Sequence, residues 1–173
     1  TLVILSVGRL AAEKNLDLTV KTYQAMKQNN RPVKLVFCGD GPYRAKLQAE
    51  CPEAIFMGMA SQAQLAVAYA SADLFMFPSL TETFGNVTIE ALASGLAVLA
   101  FNTAAAADWV QHEGNGWLVP MNDELAYLQM ATELACDPQR IARAGERARA
   151  QVARLDWQQI ASEVEAHFLQ TMG

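Results

Sequence analysis

The sequence predicts a doubly wound α/β domain, in which helices cover both faces of a parallel sheet of about six strands. Two observations lead to this fold class. Short apolar runs alternate along the whole chain with segments whose apolar residues recur at helical spacing. The runs are apolar almost throughout, rather than at every second position, which is typical of strands buried on both faces. Such sheets bind ligands at the carboxyl ends of their strands, so a site is expected in the loops that follow the strands.

The predicted elements alternate regularly. Strands are predicted at residues 2–7, 33–38, 55–57, 74–77, 97–101 and 116–119. Helices are predicted at residues 16–28, 43–50, 61–70, 86–94, 124–136, 139–153 and 157–172. No repeat, low-complexity segment or linker interrupts the pattern, so we expect residues 1–173 to form a single domain.

Residues at the helix ends support these boundaries. Asn15 and Asp123 stand at N-cap positions, where a side-chain oxygen can accept a hydrogen bond from a backbone N–H group. Ser61 and Gln64 have the spacing of a capping box. Gly95 follows the fourth helix, at the position where a left-handed residue ends a helix.

The composition excludes several classes of protein. Hydrophobic residues make up 52% of the chain, which is too apolar for a disordered segment. The net charge of −5 and the lack of a basic run argue against nucleic acid as a main partner. The three cysteines and two histidines form no metal-ligand pattern, so we expect no metal site and a reduced, cytosolic compartment. No apolar run has the length of about 18 residues that a membrane-spanning helix needs.

The loop after the first strand carries two cations. Arg9 and Lys14 lie just before a helix, at the carboxyl end of a central strand. A planar guanidinium and a mobile ammonium group suit a diphosphate, and both stabilise the charge on a departing phosphate. In the alternative interpretation they are solvated surface cations, with Glu13 as an ion-pair partner.

The loop after the fourth strand leads into a helix predicted to start at Asn86. Gly85 allows the backbone to approach a ligand closely. The N–H groups of Asn86, Val87 and Thr88 have no partner within the helix, so we expect them to be free to bind an anion.

Two acids flank this helix start. Glu82 lies at the carboxyl end of the fourth strand, and Glu90 lies about one turn into the helix. Side chains lean toward the N-terminus of a helix, so the carboxylate of Glu90 can reach the hydroxyl groups of a ribose. In the alternative interpretation both are ordinary surface acids, but the apolar residues around Glu90 argue against that.

Two glycine turns give weaker indications. The segment from Gly39 to Pro42 is typical of a turn. Gly58 ends the third strand, where it either presents its backbone to a nucleobase or forms a plain turn. The sequence lacks the glycine fingerprint of dinucleotide-binding domains, the P-loop and the nucleophile elbow of hydrolases.

Together these segments resemble retaining glycosyltransferases of family four. The resemblance rests on Val7-Gly8-Arg9-Leu10 with Lys14-Asn15, on Gly39-Asp40-Gly41-Pro42, and on Glu82 and Glu90 at a spacing of seven intervening residues, with Phe84-Gly85 between them. It covers essentially the whole chain and implies the GT-B fold, in which two Rossmann-like halves face a cleft. The chain is similar to the C-terminal, donor-binding half, and the N-terminal acceptor-binding half is absent from it.

The resemblance implies a role for each predicted site residue. Arg9 and Lys14 match the cations that bind the donor diphosphate. Together with Glu82, they are expected to be catalytic. Glu82 matches the acid that faces the transferred sugar, and Glu90 matches the ribose ligand. The other donor-binding positions, near the base, the sugar or the phosphates, are Gly8, Gly58, Phe84, Gly85, Asn86 and Val87.

Two positions depart from the family pattern. Many members carry Gly-Gly-x-x-Glu after the fifth strand, whereas this chain has the alanine run from Ala104 to Asp108. Alanines restrict the close backbone approach that glycines allow, so this part of the site is expected to differ. Ala97 stands where many members have proline. The alanine run resembles a bacterial branch that includes mannosyl- and glucosyltransferases acting on lipids or surface glycans.

The implied activity is transfer of a hexosyl unit, with retention, from GDP-mannose or a UDP-hexose to an acceptor hydroxyl on a lipid or surface glycan. No cofactor or metal is expected, because protein cations stabilise the diphosphate. The chain is expected to bind the nucleoside diphosphate sugar in the cytoplasm, with at most peripheral contact with the inner face of the cytoplasmic membrane. It is expected to transfer nothing without its N-terminal half.

Three other functions stay open. One is a non-catalytic nucleotide-binding module, and another is a different GT-B enzyme such as a sugar-nucleotide epimerase. The third is a glycoside hydrolase that uses Glu82 and Glu90 as its pair of acids. The hydrolase would not need Arg9 and Lys14, and an epimerase would differ in the loop that carries the two glutamates.

Overall fold

The computed structural model describes residues 1–28, 32–81 and 85–152, and it confirms the predicted fold class. Within these residues, helices flank a sheet of six parallel strands. The strands are β1 (Leu2–Val7), β2 (Val33–Cys38), β3 (Ile55–Gly58), β4 (Leu74–Phe77), β5 (Ala97–Phe101) and β6 (Gly116–Val119). The helices are α1 (Leu16–Lys27), α2 (Arg44–Glu50), α3 (Gln62–Ser71), α4 (Asn86–Ala93), α5 (Ala104–Trp109), α6 (Glu124–Cys136) and α7 (Pro138–Val152).

The order of the strands creates a crevice at the centre of the sheet. The order is β3-β2-β1-β4-β5-β6, so β1 and β4 are neighbours although α1, β2, α2, β3 and α3 lie between them in the sequence. Ile4 pairs with Leu74, and Leu5 pairs with Phe75. From β1 the chain continues toward one edge of the sheet, and from β4 it continues toward the other. The loops after these two strands therefore diverge and leave a crevice, where sheets of this kind bind ligands.

The core has two layers, one on each face of the sheet. Neighbouring residues of β1 show the division, because Ile4 belongs to the layer of α1, α2 and α6, whereas Leu5 belongs to the layer of α3, α4 and α5. Trp117 and Tyr127 are fully buried in the first layer, and Phe75 is fully buried in the second. Every residue of β4 and β5 is buried, as the unbroken apolar runs predict.

Most helix ends agree with the sequence. The capping box forms, since the Ser61 hydroxyl accepts a hydrogen bond from the N–H of Gln64 and the Gln64 side chain accepts one from the N–H of Ser61. The carboxylate of Asp123 accepts a hydrogen bond from the N–H of Ala126 at 2.9 Å. Gly95 has the left-handed φ expected at a helix end, 83°.

Some local features differ from the prediction. Asn15 occupies the N-cap position of α1, but it has a left-handed φ of 51° and its side chain makes no capping hydrogen bond. A short 3-10 turn at Ala12–Lys14 precedes it. Helix α5 was not predicted, because its six residues are too few to show helical periodicity, although alanines favour a helix. The helix predicted at residues 157–172 lies outside the described residues.

Glycines allow the loop after β2 to pack directly against the loop after β1. The N–H of Gly8 donates to the carbonyl oxygen of Cys38, and the N–H of Leu10 donates to that of Asp40, both at 3.0 Å. A Cβ atom on Gly39 would overlap the carbonyl group of Gly8. The position of the loop after β1 therefore depends on a residue without a side chain at position 39.

We expect Gly39→Ala to destabilise the chain more than Gly8→Ala. Both glycines have a φ of 139°, so the backbone strain is similar. However, a Cβ atom on Gly8 meets no atom within 4 Å, whereas one on Gly39 overlaps a backbone carbonyl group. The expected difference in the free energy of unfolding is about 2 kcal/mol or more, measured by urea denaturation. Equal losses in the two variants would contradict the importance of this contact.

Candidate functional site

The loops after β1 and β4 are joined at one backbone oxygen. The carbonyl oxygen of Glu13 accepts hydrogen bonds from the N–H of Leu80 at 3.2 Å and from the hydroxyl of Ser79 at 3.5 Å. Ser79 is 2% exposed, and its hydroxyl also lies 3.1 Å from the carbonyl oxygen of Thr81. The main chain therefore fixes the two sides of the crevice relative to each other.

Both predicted cations lie at this crevice. Arg9 follows β1 and exposes 69% of its side chain, and its Nη1 lies 3.9 Å from Oε1 of Glu13. An exposed pair at this distance adds little stability, so the guanidinium can turn toward a ligand at small cost. The Nζ atom of Lys14 lies 5.6 Å from the ring centre of Phe77, the last residue of β4. One positive charge thus follows β1, and the other reaches the end of β4.

The N-terminus of α4 forms another side of the candidate site. Gly85 is buried and has a left-handed φ of 58°, a conformation that glycine adopts readily. Asn86 is exposed, and Val87 is half-buried. The prediction that Thr88 has a free N–H group is wrong, because this group donates to the carbonyl oxygen of Gly85 at 2.8 Å.

Among the predicted residues around α4, Glu82 and Phe84 lie outside the described residues, whereas Glu90 is exposed on the helix. The Oε2 atom of Glu90 accepts a hydrogen bond from the hydroxyl of Tyr69 at 3.0 Å. Burial first, and then the charge of Glu90, raise the pKa of Tyr69 far above its usual value, so the hydroxyl keeps its proton. Sequence reasoning missed Tyr69, because a contact between two helices leaves no local pattern.

A cleft of about 510 Å³ opens at the carboxyl ends of β1 and β2. The residues that line it are Val7, Gly8, Arg9, Cys38, Gly39, Asp40, Met59, Ala60 and Leu65. Burial raises the pKa of the Cys38 thiol, so this side chain contributes neutral, apolar surface. A concave and largely apolar cleft with a few polar groups is the usual form of a small-molecule site.

An ion pair fixes one wall of this cleft near Gly58. Oδ2 of Asp40 accepts a hydrogen bond from Nη1 of Arg44 at 2.7 Å, and Oδ1 accepts one from the N–H of Gly41 at 2.8 Å. The backbone hydrogen bond and then the one from Arg44 lower the pKa of Asp40. Gly58 has a φ of 71°, and its carbonyl oxygen accepts a hydrogen bond from the N–H of Gly39 at 2.9 Å. Sequence reasoning interpreted Asp40 as a turn residue and did not find Arg44.

Ala104 has a backbone conformation that is typical of glycine. Its φ is 45°, which costs an alanine roughly 1–2 kcal/mol. The neighbouring Ala105 and Ala106 are buried in α5. Ala104 thus takes up a left-handed conformation despite its Cβ atom. The restricted approach of the backbone to a ligand at this position stays a prediction.

A second cleft lies at the opposite end of the sheet. It has a volume of about 410 Å³ and is lined by Leu2, Asp73 and Pro138 among others. The carboxylate of Asp73 accepts a hydrogen bond from the N–H of Val3 at 2.7 Å, so this acid binds the backbone near the start of β1. Because ligands of doubly wound sheets bind at the carboxyl ends, the candidate site is the crevice after β1 and β4.

Two findings concern metal ions and membranes. In residues 1–28, 32–81 and 85–152, no three His, Cys, Asp or Glu side chains are grouped so that they could hold a metal ion. In the same part of the chain, none of the helices is both long enough and apolar enough to cross a membrane.

Comparison with known proteins identifies the family of this domain. The family model described as Glycosyl transferases group 1 matches residues 1–137. The chain belongs to this family.

Two curated glycosyltransferases illustrate the relationship. The chain is 36% identical over 163 residues to a GDP-mannose-dependent alpha-mannosyltransferase of Mycobacterium tuberculosis, and the match covers 94% of this chain and 41% of the relative. It is 30% identical over 167 residues to the sulfoquinovosyl transferase SQD2 of Arabidopsis thaliana, covering 93% of this chain and 32% of the relative. The chain thus spans about two fifths of the length of the first relative and a third of the second.

Solved structures show the same fold. The sucrose-phosphate synthase of Thermosynechococcus elongatus is 27% identical, with a TM-score of 0.80, and the match covers 99% of this chain and 45% of that one. The C-terminal domain of a group 1 glycosyl transferase from Francisella tularensis has a TM-score of 0.78 at 20% identity. That match covers 88% of this chain and 84% of the other, so the two group 1 domains share nearly their whole fold.

We expect Ala104→Gly to raise the free energy of unfolding by up to about 1 kcal/mol. Relief of the left-handed strain at φ 45° exceeds the extra freedom that glycine gives to the unfolded chain. The matched control is Ala106→Gly in the same helix, which should lower the free energy of unfolding by about 1 kcal/mol or more. Thermal denaturation measures both effects, and equal losses in the two variants would contradict the strain at Ala104.

Proposed function

We propose that this chain is the donor-binding domain of a retaining glycosyltransferase and binds a nucleoside diphosphate sugar in the crevice between β1 and β4. The observation that carries the proposal is the change of polarity along the site. A largely apolar cleft at β1 and β2 has Arg9 among its lining residues, and it is followed by Lys14 and then by the N-terminus of α4. A nucleoside diphosphate sugar has a matching order of parts, with a flat base at one end and charged phosphates before the sugar.

The base and the ribose are assigned to the side of the crevice nearer β2. The base lies in the apolar cleft, next to Gly58, which accepts a hydrogen bond from the cleft residue Gly39 and precedes the cleft residue Met59. The ribose hydroxyls donate hydrogen bonds to the carboxylate of Glu90, a role that carboxylates often have in nucleotide sites. The hydrogen bond from Tyr69 supports this assignment, since it orders a side chain that is otherwise exposed.

The diphosphate is assigned to the centre of the crevice. Arg9 and Lys14 supply positive charge, and the first N–H groups of α4, at Asn86 and Val87, add the dipole of the helix. The open space around the Cα atom of Gly8 leaves room for the phosphates. Negative charge on the diphosphate grows as the bond to the sugar breaks, so these groups stabilise the transition state more than the bound donor, and no metal ion is required.

The transferred sugar is assigned to the loop before α4. Glu82 is assigned to the sugar itself, and the backbone at Phe84 and Gly85 is assigned to its hydroxyl groups. The resemblance of the loop sequence to the family supports both assignments. The acceptor binds to a second domain, so this chain alone binds the donor without transferring its sugar.

The identity of the donor is inferred from the relatives. Three relatives, which are 36%, 34% and 32% identical to this chain, are named GDP-mannose-dependent alpha-mannosyltransferases. They favour GDP-mannose as the donor, with a UDP-hexose as the second choice. The acceptor is proposed to be a lipid or a surface glycan. An alpha-monoglucosyldiacylglycerol synthase of Streptococcus pneumoniae, 35% identical over 103 residues, supports that class of acceptor.

We expect one nucleoside diphosphate to stabilise this chain against heat. A ligand at 100 times its Kd adds about 2.7 kcal/mol, which corresponds to a rise in Tm of roughly 5–10 °C for a domain of this size. The measurement compares GDP, UDP and ADP by thermal shift. GDP is expected to give the largest rise, and no rise with any of the three would contradict the proposal.

The control for this experiment distinguishes nucleotide binding at the crevice from a general effect of positive charge on the protein. The double variant Arg9→Ala, Lys14→Ala should lose the rise in Tm. The double variant Lys21→Ala, Lys46→Ala removes two cations that pair with Glu124 and Asp17, away from the crevice, and it should keep the rise. The same loss in both variants would indicate a non-specific charge effect.

We expect Glu82→Gln in the full-length protein to lower the rate of sugar transfer by about 100- to 1,000-fold while leaving the nucleotide-dependent rise in Tm unchanged. The reason is that Glu82 is assigned to the transferred sugar and not to the nucleotide. The control is Glu124→Gln, which changes an exposed acid that pairs with Lys21 on the side of α1 and α6. Transfer by Glu82→Gln at more than a tenth of the normal rate would contradict the assignment.

A further inference from the structure

Tyr69 connects the wall of the apolar cleft to helix α4. It lies on α3, one turn after Leu65, which lines the cleft. Tyr69 is 3% exposed, and the centre of its ring lies 6.1 Å from that of Phe75 on β4. Packing in the core therefore fixes the ring, and the hydroxyl at its end has a defined position.

The hydroxyl of Tyr69 has two acceptors on α4. The Oε2 atom of Glu90 lies 3.0 Å away, and the carbonyl oxygen of Val87 lies 3.4 Å away. Hydrogen bonds to a charged acceptor are shorter and stronger than those to a neutral one, so the single proton is donated mainly to Glu90. A buried and rigid donor thus holds the carboxylate of a residue that is itself exposed.

We propose that Tyr69 is a positioning residue that orients the Glu90 carboxylate toward the ribose hydroxyls of the donor. This inference rests on the proposed function, which assigns the ribose to Glu90. The hydrogen bond from Tyr69 occupies Oε2 and turns the other oxygen, Oε1, toward the ligand. Because the glutamate is ordered before the ligand arrives, less side-chain freedom is lost on binding.

The arrangement also links two parts of the donor. Helix α3 contributes Leu65 to the cleft assigned to the base and Tyr69 to the residue assigned to the ribose. The spacing between these two contacts is set by one turn of a helix. The helix therefore fixes the distance between the wall of the cleft assigned to the base and the hydroxyl that contacts Glu90.

The test measures how strongly the chain distinguishes GDP from 2′,3′-dideoxy-GDP, or UDP from its dideoxy analogue if UDP is the nucleotide that binds. Calorimetric titration gives the Kd of the dideoxy analogue divided by the Kd of the parent nucleotide. This ratio reports on the ribose hydroxyls alone. Tyr69→Phe keeps the ring and its packing and removes only the hydroxyl. We expect this variant to lower the ratio by about 3- to 10-fold.

Three further variants show whether the effect passes through Glu90. Tyr127→Phe is the matched control, because Tyr127 is fully buried and donates to the carbonyl oxygen of Leu99 at 2.8 Å on the other face of the sheet. It should keep the normal ratio. Glu90→Ala should bring the ratio close to one, and adding Tyr69→Phe to Glu90→Ala should then have no further effect.

The possible outcomes separate this inference from the proposed function. A normal ratio in Tyr69→Phe, together with a lost ratio in Glu90→Ala, would overturn the positioning role and leave the proposed function intact. Equal weakening of both nucleotides by Tyr69→Phe would likewise indicate a purely structural role. Failure of the unmodified chain to bind any of the nucleotides would overturn the proposed function and, with it, the inference.

Discussion

The pairing of β1 with β4 is the constraint on which the candidate site depends. These strands are distant in the sequence but adjacent in the sheet, and the chain leaves them in opposite directions. A crevice at their carboxyl ends therefore exists before any side chain is considered. Arg9 and Lys14 on one side, and the start of α4 on the other, all belong to the segments that follow these two strands. The chemistry of the site therefore comes from two loops that the order of the strands places next to each other.

Backbone contacts then give the crevice its shape. Gly39 lets the loop after β2 lie against Gly8, and the resulting surface continues into a cleft with few charged groups. Positive charge is present at Arg9, which lines part of the cleft, and at Lys14, which lies near Phe77 at the end of β4. The proposed nucleotide fits this arrangement better than a simple anion does, because an anion alone would leave the apolar cleft empty.

The sequence predicts the strands and most helix boundaries because burial on both faces and capping residues leave local signals, as at Ser61 and Asp123. It also predicts that charges and glycines gather at the carboxyl ends of the strands. It does not predict the partner of Glu90, because the Tyr69 hydroxyl comes from another helix. Nor does it predict the left-handed backbone of Ala104, which the surrounding fold imposes against the preference of the residue.

The junction at Glu13 has a consequence for engineering this domain. One carbonyl oxygen holds Leu80 and Ser79, so the distance between the two loops is set mainly by backbone atoms. Replacing an exposed side chain on either loop can then alter which molecules the opening attracts without altering its width. The selectivity of the opening and its width can therefore be changed separately, and libraries aimed at new ligands can vary the exposed side chains while the width is kept constant.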